Sequence, residues 1–100
     1  MAQSKDIAAL REKLRQQLPL LSTRYGVRSL AIFGSYVRRQ EHEGSDLDVL
    51  VEFRKVPGLL TFVELENHLG DLLGVKVDLV MKQALKPRIG QRILEEMVPV

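Results

Sequence analysis

Residues 46–53 read Asp-Leu-Asp-Val-Leu-Val-Glu-Phe, and no other stretch limits the fold so strongly. A period of two is that of a β-strand. Leu47, Val49, Val51 and Phe53 then share one face, and Asp46, Asp48, Leu50 and Glu52 share the other. Two further runs read as strands. Ser-Leu-Ala-Ile-Phe at 29–33 is short, apolar and stopped by Gly34, which suits a strand covered on both faces. Val-Lys-Val-Asp-Leu-Val at 75–80 alternates again. It sets Val75, Val77 and Leu79 against Lys76, Asp78 and Val80.

The intervening segments read as helices. Residues 5–18 place Ile7, Leu10, Leu14 and Leu18 at helical spacing, with Ser4 as N-cap and Pro19 expected to end or kink the helix. Tyr25-Gly26 closes that segment. Gly34-Ser35 reads as a tight turn into a short helix over about 36–39, followed by a polar loop at 40–45. Pro57-Gly58 breaks the chain before an amphipathic helix at 59–73. Its stripe is Leu59, Phe62, Leu65, Leu69, Leu72 and Leu73, with a Thr61–Glu64 capping box and Gly74 just past its end. A last helix is expected over 87–97. Pro87 lies in its first turn, and Ile89, Ile93, Leu94 and Met97 lie on its inner face, although Gly90 is a weak helix former. The order α-β-α-β-α-β-α predicts one α/β domain over residues 1–100. Its sheet is mixed, and its helices pack mainly on one face.

Composition narrows the function classes. Folding a chain of 100 residues hides roughly two-thirds of its surface, enough for one modest core. The 45% hydrophobic and 28% charged content excludes a membrane bundle and a disordered tail. A net charge of +2 is small for a protein that lives on a nucleic-acid backbone, so direct nucleic-acid binding is not called for. No cysteine is present, which removes disulfides and cysteine-based zinc sites and agrees with a cytoplasmic setting. Met1 to Asp6 is polar, with no signal peptide or membrane span after it.

The chemistry lies in two features. Aspartate is disfavoured in strands. Asp46 and Asp48 nevertheless point the same way, roughly 6–7 Å apart along the strand. Like charges so placed persist in water or under a bridging cation, and Mg²⁺ takes one or two carboxylates together with substrate phosphates. Asp78 adds a third acid from another strand. Three acids around one or two metals is the set that two-metal nucleotidyl transfer needs. Gly34 allows close backbone approach, Ser35 adds a hydroxyl, and the start of a helix favours phosphate. Each feature alone is more often a simple turn or a solvated strand edge; their combination points to a nucleoside triphosphate.

The stretch from Gly34-Ser35 through Arg38 to Ser45-Asp46-Leu47-Asp48 resembles the signature of the minimal nucleotidyltransferases, within the DNA polymerase β-like superfamily. The likeness extends over nearly the whole chain, including Val77-Asp78-Leu79-Val80. It implies that Gly34 and Ser35 hold phosphates, and that Asp46 and Asp48 ligate two Mg²⁺. It implies that Asp78 ligates the catalytic ion and takes the acceptor proton. Arg38 would touch phosphate or brace the loop through an acid, and Ser45 would cap the turn before Asp46. One departure is Arg39, where the family carries glycine. The resemblance further implies AMP transfer from ATP to a tyrosine of a HEPN-domain toxin, with this chain as antitoxin. A non-catalytic module that neutralises its partner by contact, and a small-molecule nucleotidyltransferase, are the alternatives. The helical faces leave homodimer and heteromer equally open. His42 and His68 read as surface residues, Tyr36 as packing or a base stack, and the lysines and arginines at 82–92 as a solvated face or partner contact.

Overall fold

The computed structural model describes residues 7–38 and 45–100. Ser4, Arg39, His42 and most of the 40–45 loop lie outside these described residues. Four strands, β1 (Val27–Phe33), β2 (Leu47–Phe53), β3 (Val77–Met81) and β4 (Val98–Pro99), form one sheet in the order β3-β2-β1-β4. β1 is antiparallel to β2 and β4, whereas β2 and β3 are parallel. Parallel neighbours need a crossover, and α2 (Leu59–Leu73) supplies it. α1 (Ile7–Tyr25) precedes β1, and α3 (Pro87–Glu96) precedes β4.

The period-two patterns set the two faces as read. Leu47, Val49, Val51 and Phe53 of β2, with Val77 and Leu79 of β3, are buried under α1 and α2. Leu10, Leu14, Leu21 and Tyr25 close over them from α1, and Leu65, Leu69 and Leu73 from α2. On the reverse face a smaller cluster joins Ala31, Phe33 and Leu50 to Val80, Leu85, Ile93 and Met97. Helices therefore cover mainly one face, and the short α3 covers part of the other.

Four local expectations fail for physical reasons. α1 does not stop before Pro19 but continues to Tyr25. Leu21 is fully buried and Tyr25 nearly so, and burial of this further stripe outweighs the missing proline N–H. α1 then ends at Gly26, with φ 74° and its N–H donating to the Ser22 carbonyl at 3.1 Å. The Thr61–Glu64 capping box does not form, because α2 starts at Leu59 with Gly58 as N-cap and Thr61 is already inside the helix. Leu59, at the helix start, is exposed rather than part of the buried stripe. In α3 the inward stripe is Gly90, Ile93 and Met97, while Ile89 and Leu94 are 56% and 42% exposed. Gly90 is the point of close approach there: a Cβ on it would sit 3.2 Å from Cβ of Leu85. The expected C′ role of Gly74 does hold, with φ 71° and its N–H bonded to the Gly70 carbonyl at 2.9 Å.

β4 went unread because it is two residues long and half proline. Proline is tolerated on an edge strand, where Pro99 lies opposite Ala31. Val100 extends the contact, its N–H donating to the Leu30 carbonyl at 2.9 Å. The opposite edge is also tied down: the β3 amide of Leu79 donates to Glu66 of α2 at 2.8 Å. No helix among the described residues is long and apolar enough to cross a membrane.

Pro19→Ala restores a helical hydrogen bond at an exposed position, partly offset by the freer unfolded chain. It is expected to stabilise the fold by about 1–2 kcal/mol, read as a higher urea midpoint at unchanged slope. A lower midpoint would show that the proline favours the folded chain.

Candidate active site

β1 and β2 bring the two motifs together. Their register places Phe33 opposite Asp48, so Gly34 emerges directly beside that carboxylate. β2 and β3 run parallel with Asp48 opposite Asp78. Asp46 lies one residue before β2, half-buried, with Ser45 before it. All three predicted acids therefore gather at the starting ends of β2 and β3, and Asp48 and Asp78 look out of the sheet face that α1 and α2 leave open.

Asp48 is the centre of this group. Its pKa is pushed up to about 6, first by burial and then by the charges of Asp78 and Asp46, with a side-chain hydrogen bond to Asp78 adding to the rise. The charge of Arg38 acts the other way. At neutral pH the arrangement thus concentrates negative charge that the protein only partly compensates. A hard cation is the group that such a donor set fits. Among the described residues no three acids or histidines already close on one point as a metal cage.

Gly34 is required where it stands. Its φ is +83°, and a Cβ there would run into Oδ2 of Asp48 and lie 2.9 Å from its Cγ. Only glycine admits both that backbone and that neighbour. Gly34–Tyr36 forms a single 3₁₀ turn rather than the expected helix at 36–39. The N–H groups of Val37 and Arg38 both return to the Gly34 carbonyl at 3.1 Å. A turn this short has little helix dipole, and it carries the half-buried Ser35. Tyr36 is buried in the main core, which decides for packing over base stacking.

Arg38 pairs with an acid. Its Nη1 donates to both carboxylate oxygens of Glu96, each at 3.0 Å. Glu96 also accepts the Gly34 N–H at 3.0 Å. Glu96 was missed in the sequence, although one signal was available. An acid in the last turn of a helix opposes the dipole and needs a partner elsewhere. His68 is not a surface residue either: its ring lies 5.9 Å from that of Tyr25, and its buried Nε2 has no hydrogen-bond partner among the described residues.

The nucleotidyltransferase domain model matches residues 10–100. The chain belongs to the nucleotidyltransferase-domain family. The protein adenylyltransferase MntA of Thermococcus cleftensis is 52% identical over 80 residues, covering 80% of this chain and 81% of that one. A solved structure provisionally named a minimal nucleotidyltransferase superposes with a TM-score of 0.79 at 38% identity, covering 95% of this chain and 96% of the other. The fold is also shared with a chain from the complex of a tri-AMPylated Shewanella oneidensis HEPN toxin with its MNT antitoxin. That match has a TM-score of 0.60 at 20% identity, over 95% of this chain and 67% of the other.

Two predictions follow from the geometry of this nucleotidyltransferase. Gly34→Ala forces both an unfavourable φ and a collision with Asp48, and is expected to destabilise the fold by about 2 kcal/mol or more, measured by urea unfolding. An unchanged midpoint would show that the turn yields freely. The second concerns pH. Folded Asp48 holds its proton to about pH 6, against 3.8 ordinarily, so the folded state binds more protons in that window. Stability is therefore lost as pH rises from about 4 to about 6. Asp48→Asn removes the penalty. In metal-free buffer at pH 7.5 it should melt several degrees above wild type, about 1 kcal/mol after solvent screening, and the difference should vanish near pH 4. A difference independent of pH would refute the charge origin.

Proposed function

We propose that this chain is a Mg²⁺-dependent protein adenylyltransferase. It moves AMP from ATP to a tyrosine hydroxyl of a HEPN-domain toxin in the cytoplasm, and so acts as its antitoxin. The observation that carries the reading is the set Asp46, Asp48 and Asp78 beside the Gly34 turn, where burial and then the charges of its neighbours push the Asp48 carboxyl up. The name of the Thermococcus relative supports a protein acceptor, and the HEPN complex of the Shewanella protein supports a HEPN partner.

In this reading Asp46, Asp48 and Asp78 would hold two Mg²⁺. When bound, the ions offset phosphate charge and acidify the acceptor hydroxyl. The residues of the chain do the rest. Ser35 donates its hydroxyl to the β- and γ-phosphates from the Gly34 turn. Arg38 contributes positive charge at the edge of the site, and Ser45 holds the turn that aims Asp46. The acceptor oxygen attacks the α-phosphorus, the bond from that phosphorus to the bridging oxygen breaks, and pyrophosphate leaves. The hydroxyl proton passes to the Asp78 carboxylate. The chain works as one domain and takes its acceptor from the partner.

The test is transfer from α-³²P-labelled ATP with and without a HEPN-domain partner. Label is expected on the partner, and chelation with EDTA should abolish it. Asp46→Asn and Asp48→Asn should each lower transfer at least about 100-fold while remaining folded, the scale of losing electrostatic support for the transition state. Ser35→Ala should chiefly weaken ATP affinity. Full activity in either aspartate variant would defeat the assignment. A tight complex without label would make the chain a contact inhibitor instead.

A further inference from the structure

β4 pairs with β1 so that Pro99 lies opposite Ala31 and Val98 opposite Ile32. Carried two residues further, the same register sets residue 96 opposite Gly34. The backbone there belongs to α3 and cannot extend the ladder. The side chain of Glu96 takes the place of the missing strand, and its Oε2 accepts the Gly34 N–H at 3.0 Å. The same carboxylate receives Arg38 through both oxygens at 3.0 Å. Gly34 opens the turn that carries Ser35, and Arg38 follows its end. One carboxylate thus pins the turn at its entrance and its exit. It does so from the β4 side of β1, whereas Asp48 flanks Gly34 from the β2 side.

Stability alone does not account for this placement. The Arg38 and Glu96 side chains are 50% and 29% exposed, and pairs this wet contribute little to folding. The last turn of a helix is also a poor position for an acid.

We propose that Glu96 is a positioning residue for the nucleotide: it fixes the Gly34–Arg38 turn, and with it the aim of Ser35. The inference rests on the nucleotide site proposed above. Glu96 itself touches no phosphate; it acts through Gly34 and Arg38.

The test uses the full chain as wild type, Glu96→Gln, Arg38→Ala and the double variant. Three quantities are read: melting temperature, affinity for a fluorescent ATP analogue, and hydrogen exchange at the Gly34 amide. Glu96→Gln keeps the shape of the side chain and removes its charge. It is expected to weaken ATP binding roughly tenfold, the scale of one charge-assisted hydrogen bond, with the melting temperature moving by no more than about 2 °C. Exchange at Gly34 should accelerate. Because the two residues act as one unit, the double variant should bind about as weakly as the weaker single variant. Wild-type affinity in Glu96→Gln, or losses that add in the double variant, would overturn the inference and leave the transferase reading standing. A wild-type chain that binds no ATP would overturn both, and the wild-type titration tells these failures apart.

Discussion

The site depends on one crowded contact, the Asp48 carboxylate wedged between Gly34 on one side and Asp78 on the other. Each neighbour limits the rest of the chain. A side chain at 34 is excluded, so the turn must contain glycine in a left-handed conformation. The parallel pairing of β2 and β3 sets Asp78 level with Asp48, and that pairing exists only because α2 carries the chain back across the sheet. The apolar faces of β2 and β3 hold both carboxylates in place by anchoring their strands under α1 and α2. The core thus fixes a repulsion that an unconstrained chain would relax.

Much of this was legible in the residues. The alternation at 46–53 and 75–80 assigned the side chains of β2, and of β3 up to Val80, to their faces, because a buried face leaves a strand no freedom of register. Gly34, Ser35, Asp46, Asp48 and Asp78 stand out because glycine before a turn and acids in strands contradict local preference unless something else requires them. What stayed hidden was the part set by tertiary contact. Pro19 looked like a helix end, yet burial of Leu21 and Tyr25 carries α1 past it. Val98–Pro99 carries almost no strand signal, since its pairing comes from β1 rather than from its own composition. Glu96 followed from that unseen strand, so it was unseen as well.

The two sides of Gly34 divide the work. From the β2 side come the acids, which are strained without a counter-charge. From the β4 side comes Glu96, already satisfied by a backbone amide and a guanidinium. The charged groups nearest the turn therefore fall into an unbalanced set, suited to bind, and a balanced set, suited to hold still. α3 bridges these roles: Ile93 and Met97 anchor it on the open sheet face, and its final residue reaches the turn.

The tie between Gly34 and Glu96 joins residues 62 positions apart. A ribosome adding roughly 5–20 residues per second makes Gly34 several seconds before Glu96. Thus α1, β1 and then β2 with Asp46 and Asp48 are made before the carboxylate that ties the Gly34 turn. The brace on the turn therefore arrives late in synthesis, when α3 emerges and β4 docks. A polypeptide ending between Asp78 and Glu96 would retain every acid of the signature and lack the carboxylate that ties the Gly34 turn.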